Sequence, residues 1–210
     1  MTDTAPGTVR ATAGAGRPRT LLIGCGALAR EILALIAREG WDHMDLTCLP
    51  AIWHNTPGKI PEGVREKIRA NRDVYDRIFC VYADCGTGGQ LDAVLAEEGV
   101  TRLPGPHCYA SYAGQDSFAA MAERDPACFY LTDYLVRHFD RLIVEGLGLD
   151  RFPELSEMYF GNYTTLVYLA QTDDPELDRQ ARAAAARLGL AYTRDLTGYG
   201  ELASELVRYA

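Results

Sequence analysis

Four cysteines fall where strands are expected to end: Cys25, Cys48, Cys85 and Cys108. The carboxyl ends of parallel strands share one edge of a sheet, so thiols far apart in sequence meet in one crevice, where open α/β sheets bind their ligands. His54 and His107 stand in the loops after two of those strands and bring imidazole to the same place. Thiolate and imidazole together point to metal or sulfur chemistry. Cys25, Cys85 and Cys108 are the expected metal ligands, and His54, Asp84 and His107 the expected acid–base groups. The close Cys-x-x-Cys spacing of a zinc knuckle is missing around these residues, so any metal must be assembled from dispersed loops. Zinc and an iron–sulfur cluster both accept such donors, and three protein ligands with one open position would suit catalysis.

The glycines around these thiols suggest a second kind of ligand. Gly24-Cys25-Gly26-Ala27-Leu28-Ala29 has the spacing of a dinucleotide fingerprint, whose glycines allow a tight turn and close approach of a pyrophosphate to a helix amino end. The acidic residue that would grip a ribose is missing, because Cys48, Leu49 and Pro50 occupy the end of the second strand. The match is weak, and a tight packing turn accounts for both glycines. Cys85 precedes Gly86-Thr87-Gly88-Gly89, whose amides could form an anion-binding nest, and the following helix would favour a thiolate at Cys85. Gly24, Gly26, Gly86 and Gly88 are therefore the expected cofactor-binding positions. Asp84 is placed to orient a histidine or take a substrate proton, although a solvated turn aspartate is as common. His54 reads either as a cap of its turn or as a general acid or ligand. Cys80, inside Ile78-Phe79-Cys80-Val81, and Cys128, near an expected helix start, read as packing residues.

The elements that must position these groups alternate. Thr20 to Gly24 reads as a buried strand, and Leu28, Ile32, Leu33, Leu35 and Ile36 then recur at helical spacing up to Gly40. Asp45 to Leu49 is a second strand, with a helix opening at or near Pro61. Arg77 to Ala83 reads as a central strand, followed by a helix over Gln90 to Glu98 and a short strand over Val100 to Leu103. From Pro104 the rhythm changes, and Tyr109 to Leu147 holds two helical patterns with many aromatics. Strand character returns at Thr164 to Ala170 and Leu190 to Arg194, around an Ala- and Arg-rich helix over Asp173 to Leu188. The alternation predicts an α/β fold with a mainly parallel sheet flanked by helices. We expect a mobile tail over residues 1–18, a single α/β domain over 19–210, and a helical cap over 104–160.

Composition narrows the function classes. A chain of 210 residues that is 48% hydrophobic can build one large core. The net charge of −8 repels nucleic acid and anionic membranes, so neither is an expected partner. Six cysteines are too few for a disulfide scaffold of this length, and the start of the chain has no apolar leader segment. A cytoplasmic protein with free thiols or metal ligands is the expectation.

The set formed by Cys25, His54-Asn55-Thr56-Pro57, Cys85-Gly86-Thr87-Gly88, Pro106-His107-Cys108 and Tyr130-Leu131-Thr132 resembles a bacterial and archaeal family catalogued as domain of unknown function 1638. The likeness spans roughly residues 19–208. Members often carry an aspartate between the corresponding histidine and cysteine, whereas His107 and Cys108 are contiguous. The resemblance implies an association with corrinoid-dependent methyl transfer, and so a small-molecule substrate or a corrinoid protein as partner. The expected function is a zinc or iron–sulfur protein of one-carbon metabolism. The alternatives are an accessory protein that holds a cofactor, and a metal-free enzyme with a cysteine nucleophile.

Overall fold

Short apolar strands, each followed by a helix with one buried stripe, fold into two separate parallel sheets. The computed structural model describes residues 16–210. The first sheet begins with β1 (Thr20–Cys25), buried along nearly its whole length, followed by α1 (Ala29–Glu39). Gly40, at a left-handed φ of 64°, ends α1 and turns the chain into β2 (Met44–Leu49). Then come α2 (Ile60–Asn71), β3 (Arg77–Val81), α3 (Gln90–Glu98) and β4 (Thr101–Arg102). The strand order is β2-β1-β3-β4, all parallel, with Gly24 in register between Cys48 and Val81. Leu21, Ile23, Ile60, Val64 and Ile68 belong to the core that joins this sheet to α2.

The strand order places a topological switch point between β1 and β3. From β1 the chain moves to β2 on one side, then returns to β3 on the other. The adjoining carboxyl ends of β1 and β3 are therefore a topological switch point, where diverging connections leave a crevice.

The second sheet is preceded by α4 (Cys108–Ala113) and α5 (Gln115–Arg124). It then runs through β5 (Cys128–Thr132), α6 (Asp133–Arg137), a π-helical turn (Asp140–Glu145), α7 (Leu155–Phe160), β6 (Thr165–Ala170), α8 (Pro175–Leu188), β7 (Ala191–Leu196) and α9 (Gly200–Val207). Its order is β5-β6-β7, again parallel. Asp133 ties the ends of β5 and β6 together. It is 1% exposed and accepts hydrogen bonds from the Tyr168 hydroxyl (2.7 Å), the Gln171 amide (2.9 Å) and the Thr172 hydroxyl (2.5 Å).

The α/β class with parallel sheets flanked by helices is as expected, but its partition differs. Instead of one domain over 19–210, the chain divides into two compact units. One unit holds the described residues up to Cys108 together with Leu202–Ala210, and the other holds Tyr109–Glu201. The span 104–160 is not a purely helical cap, because β5 lies within it and pairs with β6. Cys48 is the last residue but one of β2 and 1% exposed. The expected tail over 1–18 lies outside the described residues except for its last three. Among the described residues no helix is long and apolar enough to cross a membrane.

Candidate functional site

At the switch point, Cys25 is the last residue of β1 and Cys85 follows β3 after Tyr82-Ala83-Asp84. Two backbone hydrogen bonds then bring in Cys108. The Asp84 amide donates to the Gly105 carbonyl (3.1 Å) and the Cys85 amide to the Pro106 carbonyl (2.8 Å), lacing the loop after β3 to the segment before α4. Arg102 braces that segment from within. Its guanidinium grips the Asp92 carboxylate at 2.6 and 2.9 Å and donates to the carbonyls of Leu103 (2.7 Å) and Gly105 (3.3 Å).

Cys85 adopts a φ of +50°, which no other non-glycine residue among those described shares at positive sign. A cysteine side chain is held there at a local cost, and such cost is characteristic of sites that need a fixed geometry. The neighbouring loop is rigid for a separate reason. The Asp84 carboxylate accepts from the Thr87 hydroxyl (2.7 Å), the Gly89 amide (2.9 Å) and the Gly88 amide (3.1 Å). Burial opposes the Asp84 charge, but the Gly89 and Thr87 donors, the Gly88 amide and Arg102 outweigh it and hold the carboxyl below its ordinary pKa. The amides of Gly88 and Gly89 thus face a protein carboxylate, the anion of this nest, and Asp84 works as a loop anchor.

The sulfurs form the chemical centre. The proximity of the Cys108 thiol and amide lowers the Cys85 pKa against the opposing effect of burial. The same proximity, with burial and the charge of Cys85, pushes the Cys108 thiol well up. Within the pair Cys85 is the more readily ionised sulfur and Cys108 the less readily ionised one. Cys25 stands behind them. Its sulfur accepts from the Ala27 amide at 3.4 Å, and burial, reinforced by the charge of Cys85, pushes its pKa to about 11. Burial likewise pushes Cys48 to about 12, which leaves it an inert packing thiol.

Tyr82 is the residue that the sequence reading missed. It is 2% exposed, and its hydroxyl has no hydrogen-bond partner among the described residues. A polar hydroxyl inside Val81-Tyr82-Ala83, just before Asp84-Cys85, was the available signal.

The two histidines flank this centre on exposed loops, His54 in the turn Ala51–Asn55 and His107 just before Cys108. The protein packed around them lowers both pKa values. The charge of His107 lowers that of His54 further, whereas Asp84 partly restores that of His107. The lowered values favour the neutral imidazole, the form that accepts a proton. Gly63 lets the Trp53 ring lie on α2, since a methyl at that position would overlap the ring, and this seats the His54 turn.

The four expected glycines are placed as follows. A Cβ on Gly24 would stand 3.3 Å from Ile32 Cδ1, and one on Gly26 would stand 3.2 Å from the Leu49 carbonyl, so both sit in close protein packing. Gly86 and Gly88 take φ of 82° and 62°, which the turn after Cys85 requires. Cys80 is fully buried in β3, and Cys128 opens β5 in the other unit. Among the described residues no group of three His, Cys, Asp or Glu side chains is placed to hold a metal ion.

Comparison with known proteins adds the family. No curated protein matches the chain, and no solved structure does. A family model described as a protein of unknown function (DUF1638) matches residues 48–206, a span holding His54, Asp84, Cys85, His107 and Cys108, and the chain belongs to that family.

Proposed function

We propose that the switch-point crevice is a thiol centre, with Cys85 as nucleophile toward a small soft electrophile and Cys108 as the donor that keeps it ionised. The observation that carries this reading is the lacing of the Cys85 amide to the Pro106 carbonyl at 2.8 Å, which sets Cys108 near Cys85 beside the carboxyl end of β1. A thiolate attacks; a thiol does not. The left-handed backbone of Cys85 and the Asp84-anchored loop fix the direction of attack. His54 or His107, on the loops beside the centre, takes the proton released as substrate is activated. The activity class that fits is group transfer through sulfur in a cytoplasmic protein. A methyl group from a corrinoid carrier is an electrophile of this kind, and that choice rests on the family resemblance alone.

The test is the alkylation rate of each cysteine, followed by peptide mapping across pH. Cys85 is expected to react faster than the other five cysteines, with a midpoint below that of an ordinary thiol. Cys108→Ala is expected to slow it and move the midpoint up, since the variant removes the donor to the thiolate. A Cys85 that reacts no faster than Cys128 sinks the proposal.

A second reading keeps Cys25, Cys85 and Cys108 as donors to zinc or an iron–sulfur cluster. It is favoured by the position of Cys25, close enough that its charge weighs on Cys108 and that of Cys85 on Cys25. The donor chemistry suits a thiophilic metal, while the spacing of the described residues does not, so no step is routed through one. Metal and acid-labile sulfide analysis of anaerobically purified protein, beside the triple serine variant, decides it: stoichiometric metal lost in the variant supports this reading, and metal-free wild type removes it.

A further inference from the structure

We infer that Cys85 and Cys108 form a two-electron dithiol/disulfide couple that exchanges with small-molecule disulfides. The inference rests on the thiol-centre reading and adds its substrate class and the role of the second sulfur.

Three features carry it. The two sulfurs lie near enough to act on each other's ionisation, so closing an S–S bond of about 2.05 Å requires their mutual approach. The backbones that carry them are laced at two successive points, Asp84 to Gly105 and Cys85 to Pro106, so the approach needs no rearrangement of β3 or α4. Both cysteines keep partial solvent access, which a reagent disulfide needs, whereas Cys48 and Cys80 are buried in strands. Cys25 is the remaining neighbour, and its sulfur is held by the Ala27 amide at 3.4 Å.

The exchange balances in two steps. The Cys85 thiolate attacks one sulfur of a disulfide RS–SR, forming a mixed disulfide and expelling RS⁻. That RS⁻ takes the proton of Cys108, and the resulting thiolate attacks the Cys85 sulfur, breaking the mixed disulfide and expelling a second RS⁻. Protonation of the second RS⁻ by water or buffer completes the cycle. The protein dithiol is oxidised by two electrons and the small disulfide is reduced to two thiols. Because the bridge consumes the nucleophile, the oxidised protein is inactive toward the electrophile of the proposed function until a thiol reduces it.

The test uses the full chain and oxidised glutathione as the probe. Reduced protein is incubated anaerobically with glutathione at graded ratios of oxidised to reduced form, acid-quenched and mapped by mass. The expected wild-type product is the loss of two hydrogens with a peptide joining Cys85 to Cys108, reversed by excess reduced glutathione. Cys108→Ser is expected to accumulate one glutathione on Cys85, because the resolving sulfur is gone. A glutathione adduct that persists on wild-type Cys85, or a bridge to Cys25 instead, overturns the inference while rapid Cys85 alkylation still leaves the thiol centre standing. Slow Cys85 alkylation removes the thiol centre itself. Since the decisive result is read on the wild type, a misfolded variant does not protect the proposal.

Discussion

Asp84 shows how one side chain sets the chemistry of its neighbour without taking part in it. Its carboxylate holds Thr87, Gly88 and Gly89, and its amide is half of the lacing that presents Cys85 to Cys108. Its pKa is lowered in the fold by those donors and Arg102 against the effect of burial. A carboxyl with a depressed folded pKa contributes stability above its unfolded pKa and loses it as pH falls through the folded value. Asp84→Asn is therefore expected to be less stable than wild type at neutral pH, by about 1–3 kcal/mol for charge-assisted bonds of this kind. The gap should narrow as pH drops below the ordinary carboxylate range. Denaturant midpoints of both proteins from neutral to acid pH check this, and a gap that is constant over that range would sink the assignment. The sequence named Cys25, Cys85, Cys108, His54, His107 and Asp84, and the fold brings these six into one unit. What it hid was occupancy. Gly88 and Gly89 look like free anion-binding amides until the partner of Asp84 is known, because a side chain-to-backbone bond leaves no trace in spacing. Tyr82 was hidden by its position in a strand that reads as core, where an aromatic is expected anyway.

At the scale of elements, the crevice depends on a two-residue strand and the loop behind it. β4 is too short to fix Pro104–Cys108, and Arg102 supplies what the strand lacks by clamping Asp92 on α3 while holding two loop carbonyls. Arg102 acts through Cys108, so it is a positioning residue with a readable signature. Arg102→Ala is expected to slow alkylation of Cys85 at neutral pH and to move its midpoint upward. Arg102→Lys, which keeps charge but not the bidentate fork, should fall between alanine and wild type. A variant that loses stability yet keeps the wild-type alkylation profile would show Arg102 to be structural only. The strand-then-helix rhythm that frames this crevice was legible from Thr20 to Glu98, where apolar runs are short and bounded by glycine or proline. It failed at β5. Cys128-Phe129-Tyr130-Leu131-Thr132 follows helical segments with the same aromatic content, and its pairing with β6 is decided by a partner more than thirty residues away.

On the scale of the whole molecule, the unit that carries the thiols is discontinuous. Its last part is Leu202–Ala210, which follows the entire second unit in the chain. Leu202 and Leu206 are fully buried, and the Tyr209 ring stacks on Phe79 of β3 with centroids 3.7 Å apart while its hydroxyl pairs with Thr101 of β4 at 2.9 Å. The reading of one domain arose because apolar segments are spread evenly, and even spacing cannot reveal that the chain's end returns to its beginning. Burying a leucine contributes about 1.5–3 kcal/mol, and an aromatic pair about 0.5–1.5 kcal/mol beyond its area. Losing all three side chains therefore removes on the order of 5 kcal/mol, against a typical total of about 5–15 kcal/mol for a domain. A chain ending at Glu201 is expected to lose amide hydrogen-exchange protection in β1 and β3, at Leu22 and Phe79, and with it the fast alkylation of Cys85. Protection in β6, at Val167, should persist, because Asp133 and its three donors lie wholly in the other unit. Tyr209→Ala in the full chain should show a milder loss confined to the same strands. Equal protection of β1, β3 and β6 in the truncated chain would mean that the terminal segment does not hold the thiol unit together, and that its folding is complete by Cys108.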